Sequence, residues 1–416
     1  MQVLRRRRPR LLVLTGLAAL LLATSVGPPA AADPHHADPL QRRVDAILDT
    51  GVVGVSAEVT SPGTRTRSVA RAGVAERGTR KPMPPGGRFR IGSATKTFTA
   101  AVVLQLVGEG RLSLEDTVER WLPGVVRGSG LDGSRITVRQ LLQHTSGIPE
   151  VLPEIAALNS ADGYRAERFR TYTPEELAGL AGLPGLAGPA MRRPEEVSTE
   201  AAWSYSNTNY ILAAMIIREV TGRSWDREVE DRIIRPLGLS GTSTPGTSPF
   251  IPGPHAHAYA AFGAGAGPGA GPGTGAGKGP GSGIDVTVLN PSMAVGSGAV
   301  ISTTHDLSRF YAALLGGRLL EPAELAEMTA TVPAPEMGVS YGLGLGEIPL
   351  TCGGTYFGHP GELLGYRTWA GITRDGSRTA VVYATSDGGP DTQQAMRTLV
   401  DQELCGAAAL GEGRTG

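Results

Sequence analysis

The chain has 416 residues, of which 39 are basic, 39 are acidic and two are cysteines. This length is enough for a large buried core and corresponds to roughly two to three domains. The charges balance, and no block of basic residues follows the N-terminal segment, which argues against a nucleic-acid partner. The two cysteines have no neighbouring histidine or cysteine at ligand spacing, which argues against a metal site built on them.

The first 32 residues have the layout of a secretory signal. Arginines at 5–8 are followed by an apolar run at 11–26 and by three alanines at 30–32. Because the apolar run is short for a bilayer span, we predict removal of residues 1–32, with a retained membrane anchor as the alternative. Removal leaves 34 basic and 39 acidic residues, a net charge of −5. No later stretch is apolar for long enough to span a membrane, so we expect a secreted protein without stable membrane insertion.

The two cysteines are predicted to form a disulfide. In the oxidising surroundings outside the cytoplasm, Cys352 and Cys405 would close a loop of 53 residues. The chain-entropy treatment of such a loop gives about 4 kcal/mol of stabilisation, less any strain. Two buried free thiols are the alternative.

The N-terminal part of the mature chain predicts a helix, a pair of strands and a second helix. HADPLQRRVDAILDTG has the pattern of an amphipathic helix that ends at Gly51. VGVSAEVT and TRTRSVARAGVAE then have the pattern of two strands joined by a Ser-Pro-Gly turn. After Ser93, the segment ATKTFTAAVVLQLVGEG is apolar around most of its circumference, which is typical of a helix buried inside a domain.

The middle of the chain, residues 112–239, is predicted to be mainly helical. N-cap signals stand at Thr173 and at Ser224, and the segment that starts at Ser224 ends in Pro-Leu-Gly. Residues 261–283 are dominated by glycine and alanine, which bury too little apolar surface to offset their ordering entropy. We therefore predict a flexible insertion in a surface loop, since patterned sequence resumes directly after it.

The C-terminal part predicts a helix, a hairpin and a closing helix. Thr303 and Asp306 stand at capping-box spacing before an apolar helical pattern. LLGYRTWAGIT and RTAVVYATS flank Asp375-Gly376, which is a hairpin signal, and TQQAMRTLVDQEL follows as a helix. The predicted disulfide would tie the last strands to this closing helix.

Strands at both ends of the chain and helices between them predict an α+β fold. The economical assembly is a discontinuous α/β domain, residues 33–111 and 290–405, in which helices flank an antiparallel sheet. Residues 112–260 would form an inserted, mainly helical domain, residues 261–283 the flexible loop and residues 406–416 a disordered tail. Active sites favour such domain junctions.

The use of lysine in this chain draws attention to one short motif. Lys81, Lys96 and Lys278 are the only lysines, and the other 36 basic residues are arginines. A guanidinium stays protonated, whereas a partly buried ammonium can lose its proton. Lys96 lies one helical turn after Ser93, whose hydroxyl would lie near the N–H groups at the helix start. The pair is a candidate base beside a candidate nucleophile, although S-x-x-K alone is a weak motif.

Two further motifs follow in the order that one known family uses. Tyr205-Ser206-Asn207 gives Y-x-N, and His359-Pro360-Gly361 gives H-x-G. With S-x-x-K before them, and with LLQHTSGIP, GRLSLEDTVERWLPG and GSGAVISTTHDLSRF elsewhere, the chain resembles the serine DD-peptidase and class C β-lactamase family. The resemblance runs from about residue 44 to residue 404. It implies a β-lactamase/transpeptidase-like fold with no metal and no organic cofactor.

The resemblance also implies roles for the residues of the first two motifs. Ser93 is the acylated nucleophile, and Lys96 and Tyr205 share the work of the general base. The phenol of Tyr205 would need a lowered pKa, which a nearby ammonium would supply. Asn207 would hold Lys96 and the amide of the substrate.

The third motif would line the substrate cleft. His359 takes the place of the lysine of a K-T-G motif, Gly361 follows on the same strand, and the oxyanion would lie between the backbone N–H groups of Ser93 and Glu362. Relatives that release a terminal D-alanine often carry H-T-G-T, whereas this chain has Pro360 and Glu362 at the threonine positions. Proline has no donor and a carboxylate repels a carboxylate, so this departure bears on the choice of substrate.

We expect a secreted serine hydrolase that forms an acyl-enzyme, most simply a D-alanyl-D-alanine carboxypeptidase acting on cell-wall peptides. Arg367 nearby would supply a counter-charge for the carboxylate of a carboxypeptidase substrate. Glu362 would also suit an ammonium group, as a D-aminopeptidase requires. The same motifs are compatible with an esterase, a β-lactamase or a slowly acylating penicillin-binding sensor, and the oligomeric state is left open.

Two other segments have competing interpretations. GVSYG, residues 338–342, matches the nucleophile elbow G-x-S-x-G, but Ser340 is followed by a strand-like pattern where an elbow needs a helix. We therefore predict a strand at Ser340. His144 could be a catalytic base, but a loop histidine that bonds to backbone is the commoner case.

Overall fold

The computed structural model describes residues 38–61, 63, 66–128, 130–183, 202–262 and 283–406, and these lie in one compact unit. The predicted signal segment, nearly all of the Gly/Ala-rich loop and the predicted tail from residue 407 lie outside the described residues. Across the part that is described, no helix is both long and apolar enough to cross a membrane.

The strands pair mainly in one large antiparallel sheet. Its order is β2-β1-β14-β13-β12-β11-β10-β9, and three two-stranded ladders, β3-β8, β4-β5 and β6-β7, lie outside it. The strands of the described residues are β1 Gly54–Ser61, β2 Thr66–Gly73, β3 Phe89–Arg90, β4 Arg127–Gly128, β5 Leu131–Asp132, β6 Tyr259–Ala260, β7 Ile284–Asp285, β8 Ile301–Ser302, β9 Val332–Ala334, β10 Val339–Tyr341, β11 Gly346–Pro349, β12 Thr355–Leu363, β13 Tyr366–Thr373 and β14 Thr379–Ala384.

Helices fill most of the chain between the first strands and the last ones. The α-helices of the described residues are α1 Pro39–Leu48, α2 Thr95–Gly108, α3 Val118–Trp121, α4 Val138–Gln143, α5 Ala156–Asn159, α6 Ala161–Glu167, α7 Pro174–Leu180, α8 Asn207–Thr221, α9 Trp225–Val229, α10 Arg235–Leu237, α11 Thr304–Leu315, α12 Pro322–Thr329 and α13 Pro390–Cys405. A π-helical turn, Glu230–Ile234, joins α9 to α10.

The two ends of the chain meet in the sheet, because β1 pairs with β14 as well as with β2. Nearly every residue of β1, β13 and β14 is buried, so these central strands are covered on both faces. One face packs against α1 and α13, with Trp369 and Val382 in that core. The other packs against a larger core that includes α2, α8 and α11. The predicted antiparallel sheet with flanking helices is confirmed, and the division into two domains stays a prediction.

Two of the three predicted N-cap side chains cap their helices. The side chain of Thr173 caps α7, and that of Thr303 accepts the Asp306 N–H at the start of α11. Ser224 precedes α9 without a side-chain cap, although its position is the predicted one. Cys352, between β11 and β12, forms the predicted disulfide with Cys405 at the end of α13. The predicted tie between the last strands and the closing helix is therefore confirmed.

The strand β12 has one half-open edge, and this positions the site. The neighbouring β11 pairs with β12 only from Thr355 to Gly358. On its other side, β12 pairs with β13 as far as Leu363. Within the described residues, the segment 359–363 therefore has no strand partner on the β11 side. Gly361 in this segment lies against the turn that precedes α2, where a Cβ would come within 1.9 Å of the carbonyl oxygen of Ile91.

Candidate active site

The turn that carries Ser93 lies against β12 so closely that only glycine fits on both sides. Residues Gly92–Ala94 form a 3₁₀ turn directly before α2. A Cβ on Gly92, whose φ is +53°, would lie 2.5 Å from the backbone nitrogen of Glu362. A Cβ on Gly361 would lie 1.9 Å from the carbonyl oxygen of Ile91. The absence of these two side chains lets the backbone of β12 approach the turn that carries Ser93.

Lys96 is fully buried beneath Ser93 and makes three hydrogen bonds. Its Nζ lies 3.1 Å from Ser93 Oγ, 2.5 Å from Asn207 Oδ1 and 3.0 Å from the carbonyl oxygen of Ser297. Burial lowers the pKa of Lys96 to about 7, and the negative charge of Glu150 opposes that effect. A neutral amine has two hydrogens, which Asn207 Oδ1 and Ser297 O can accept. Its lone pair is then directed at Ser93 Oγ.

Tyr205 completes the cluster, but its proton is held more tightly than predicted. Its hydroxyl is hydrogen-bonded to Ser93. The Nζ of Lys96 lies 4.8 Å from the centroid of its ring. Burial raises the pKa of the Tyr205 phenol. The prediction that a nearby ammonium lowers this pKa is therefore wrong. The ammonium of Lys96 loses its proton easily in this buried place, and the cost of desolvating the Tyr205 phenolate outweighs the attraction of a positive charge.

Glu150 belongs to the site and was missed in the sequence. Its Oε2 accepts hydrogen bonds from the backbone N–H of Asn207 at 2.9 Å and from Asn207 Nδ2 at 2.8 Å. Its Oε1 accepts the N–H of Leu152 at 2.9 Å. These contacts fix the amide of Asn207 with its oxygen towards Lys96. The only sequence signal is one acidic residue directly after LLQHTSGIP, which no spacing rule connects with Asn207.

His359 lies where the family motif puts it, but as a neutral ring. It is buried, its Nδ1 donates to the carbonyl oxygen of Pro360 at 2.5 Å, and its Nε2 accepts from the hydroxyl of Tyr341 at 2.8 Å. Burial, followed by the charge of Lys96, lowers the pKa of His359 to about 3. The ring therefore cannot supply the positive charge of a K-T-G lysine at neutral pH.

Glu362 lies at the accessible end of the site with a buried counter-charge. Its side chain is 43% exposed, and Arg367, which is 8% exposed, places Nη2 3.3 Å from Glu362 Oε1 across the β12–β13 pair. Pro360 pairs with Trp369 in the same ladder, two residues along. Strand alternation therefore puts Pro360 and Glu362 on one face, and His359 and Gly361 on the other.

A groove of about 320 Å³ begins beside the cluster. Glu336 stands at this end, and its Oε2 accepts the backbone N–H of Tyr205 at 3.4 Å. Besides Glu336, the groove is lined by residues of the 3₁₀ turn before β10, of the sheet and of α13: Met337, Val339, Gly346, Ile348, Pro360, Trp369, Pro390, Gln393, Gln394 and Arg397.

The structure therefore brings together Ser93, Lys96, Tyr205 and Asn207, and lays the strand of His359, Gly361 and Glu362 along them. Ser340 is not part of this cluster. It lies in β10, which leads into the strand β11, so the predicted strand is confirmed and the elbow interpretation fails.

The fold and the Ser-Lys-Tyr cluster define the class of the serine β-lactamases and penicillin-binding proteins, which are serine hydrolases. A family model described as Beta-lactamase matches residues 40–404, and the chain belongs to this family.

Solved structures and curated relatives show the same likeness. A D-stereospecific amidohydrolase from Streptomyces sp. is 40% identical with a TM-score of 0.75, over 88% of this chain and 98% of that one. The D-amino acid amidase from Ochrobactrum anthropi SV3, solved with L-phenylalanine amide, is 26% identical with a TM-score of 0.71, over 90% and 98%. Penicillin-binding protein 4* from Bacillus subtilis (strain 168) is 31% identical over 170 residues, 41% of this chain and 33% of that protein. The chain spans about a third of the length of such curated relatives.

Proposed function

We propose that this chain is a serine amidohydrolase that cleaves amides of D-amino acids with a free amino group, through an acyl-enzyme on Ser93. The observation that carries the proposal is the cluster of Ser93, Tyr205 and the buried Lys96, with Glu150 behind Asn207 and the backbone of Glu362 against the turn that carries Ser93. The cluster supplies the acylation chemistry, and the two carboxylates supply the preference for a cationic substrate.

Proton transfer in this proposal runs from Ser93 to Lys96. Because burial lowers the pKa of Lys96 to about 7, the neutral amine is accessible at neutral pH. This amine takes the proton as Ser93 Oγ attacks the substrate carbonyl, and the N–H groups of Ser93 and Glu362 receive the oxyanion. Tyr205, as a neutral phenol, gives its proton to the leaving nitrogen, and the ammonium of Lys96 returns a proton to the phenolate. In deacylation, water gives a proton to the neutral Lys96 as it attacks the ester, and Ser93 Oγ receives that proton when it leaves.

Two carboxylates favour an ammonium group at the acyl side of the substrate. Glu150 lies one side chain away from Lys96, behind Asn207, and the backbone of Glu362 contacts the nucleophile turn at Gly92. Both would attract an α-ammonium and repel a carboxylate. The D configuration is supported by the likeness to the D-stereospecific amidohydrolase and to the D-amino acid amidase.

A carboxypeptidase that acts on D-alanyl-D-alanine peptides is the second candidate. Arg367, paired with Glu362, offsets part of the negative charge that would repel a terminal carboxylate. The penicillin-binding relatives support the same interpretation. A β-lactamase, an esterase and a slowly acylating sensor would use the same catalytic residues. The neutral ring of His359 argues against efficient β-lactamase action.

Three matched substrates separate these functions. The proposal predicts that D-phenylalanine amide is hydrolysed, that its N-acetyl derivative has kcat/KM about tenfold to a hundredfold lower, and that diacetyl-Lys-D-Ala-D-Ala is the poorest. A preference for the tripeptide would establish the carboxypeptidase instead. Stable labelling by a fluorescent penicillin with no turnover of any of the three would establish the sensor.

The variant Glu362→Gln tests the cationic substrate. We expect kcat/KM for D-phenylalanine amide to fall about tenfold and to fall less for the N-acetyl derivative, since only the first carries an ammonium. Glu154→Gln, at an exposed glutamate outside the cluster, is the matched control. An equal fall for both substrates would contradict the assignment of Glu362 to the ammonium.

We also propose that the chain is exported. The layout of residues 1–32 and the disulfide support this, since disulfides persist in oxidising compartments. N-terminal sequencing of protein from the culture medium should begin at Asp33. Recovery of the full-length chain in the cytoplasm alone would contradict export.

A further inference from the structure

His144 is a buried histidine that the proposed chemistry does not use. It follows α4 with a left-handed backbone, φ 61°, and is fully buried. A non-glycine residue seldom adopts this conformation, and histidine is one of the few residues enriched there. Its ring lies 4.3 Å from the ring of Tyr205, centroid to centroid.

The backbone on both sides of Tyr205 is hydrogen-bonded to His144. The N–H of Ser204 donates to the carbonyl oxygen of His144 at 2.9 Å. The N–H of Ser206 donates to His144 Nδ1 at 3.2 Å, and Asn209 Nδ2 lies 3.3 Å from the same nitrogen. One residue therefore holds the chain immediately before and immediately after the phenol that is bonded to Ser93.

These contacts assign the tautomer of the ring. An amide N–H can only donate, so Nδ1 is the acceptor and the proton lies on Nε2. Within the described part of the chain, Nε2 is buried and has no hydrogen-bond partner, which is unfavourable for a buried donor. Burial, and then the charge of Lys96, holds the pKa of His144 well below its usual value, so the ring stays neutral. A phenylalanine would avoid the unpartnered N–H but could not accept from Ser206.

We infer that His144 is a positioning residue: its carbonyl oxygen and its Nδ1 hold the two residues that flank Tyr205, and its ring supports the phenol beside Ser93. This inference rests on the proposed role of Tyr205 as a proton carrier. It explains why an acceptor at the position of Nδ1 is present in an apolar aromatic cluster that includes Trp203 and Tyr341.

Two substitutions separate this role from simple packing. The Oδ1 of asparagine takes the place of Nδ1, whereas the amide oxygen of glutamine lies one bond further out. We therefore expect His144→Gln to lower kcat for D-phenylalanine amide about a hundredfold with little change in KM, because a misplacement of about 1 Å has that effect. His144→Asn should restore kcat to within about tenfold of the wild type, with melting temperatures recorded for both variants.

Equal kcat values for the two variants, or a glutamine variant as active as the wild type, would overturn the inference. Tyr205→Phe separates this failure from failure of the proposed function. If Tyr205→Phe is inactive while His144→Gln is fully active, only the role of His144 is wrong. If Tyr205→Phe is fully active, the proposed role of Tyr205 as a proton carrier and the positioning role of His144 are both wrong. Independently, ¹⁵N chemical shifts should show an unprotonated Nδ1 at neutral pH, and a protonated Nδ1 there would also overturn the inference.

Discussion

The Nζ of Lys96 is enclosed by Ser93, Asn207 and the backbone of Ser297. An arginine in this place would keep its charge at every physiological pH, whereas the desolvated ammonium loses its proton near neutrality. The negative charge of Glu150 raises the pKa of Lys96 and so opposes the effect of burial. The proton affinity of the base is thus set by the balance between burial and one carboxylate.

This balance predicts a pH profile. With p-nitrophenyl acetate, which carries no ammonium, kcat/KM should rise about tenfold per pH unit below pH 7 and level off above it, because only the neutral amine is active. Glu150→Gln removes a charge that raises the pKa of Lys96, so the rising limb should move to lower pH. Glu154→Gln should leave it in place. A flat profile from pH 5 to 8, or a shift of the limb to higher pH in Glu150→Gln, would contradict this balance of burial and charge.

The roles at the residue scale were only partly readable in the sequence. The rarity of lysine and the three ordered motifs pointed to Ser93, Lys96 and Tyr205 because these motifs carry fixed spacings. Glu150 and His144 act through contacts across more than fifty residues of chain, which no local pattern encodes. The protonation of Tyr205 was mispredicted, since it depends on how completely the fold excludes water.

At the scale of elements, the strand β12 and the turn before α2 fit against each other through paired glycines. The open edge of β12 begins at His359, where β11 no longer pairs with it. Gly361 and Gly92 then allow backbone to touch backbone. The apolar pattern after Ser93 predicted α2, and the family resemblance implied a strand at His359. Neither showed that β12 would leave half of one edge without a strand partner among the described residues, because strand pairing is decided by distant segments.

Gly361→Ala tests this contact. Its Cβ would lie 1.9 Å from the carbonyl oxygen of Ile91, so the turn that carries Ser93 must shift. We expect kcat to fall about a hundredfold and the free energy of unfolding to fall by about 1–3 kcal/mol. Gly389→Ala, where the added methyl group meets nothing within 4 Å, is the control. Wild-type kcat in Gly361→Ala would show that the contact does not position Ser93.

At the scale of the whole molecule, the two ends of the chain build one sheet, and a single disulfide fixes the last helix to it. The composition indicated the size of the core and the balance of charge, and the order of strands and helices indicated the α+β fold. The choice of substrate did not follow from the composition or from the order of strands and helices, since it depends on a few charged residues beside catalytic residues that the whole family shares. We propose that it is decided by pairs such as Glu362 and Arg367, whose charged groups lie 3.3 Å apart.

Loss of the disulfide should lower the free energy of unfolding without changing the catalytic activity. Replacing Cys352 and Cys405 by serine opens a loop of 53 residues and should lower the free energy of unfolding by about 4 kcal/mol. Urea denaturation measures this loss. The value of kcat/KM at 25 °C should stay at that of the wild type, because the bridge joins α13 to the β11–β12 turn and not to the turn that carries Ser93. Equal stability of the double variant and the wild type would contradict the predicted stabilisation.

The proposed mechanism depends above all on Ser93 carrying the acyl group of the substrate. Rapid acid quenching of the reaction with D-phenylalanine methyl ester, followed by mass spectrometry of the digested protein, tests this directly. We predict one phenylalanyl adduct on the peptide that contains Ser93, and no adduct and at least about a 10⁴-fold loss of kcat in Ser93→Ala. Wild-type turnover by Ser93→Ala, or an adduct on another serine such as Ser340, would contradict it.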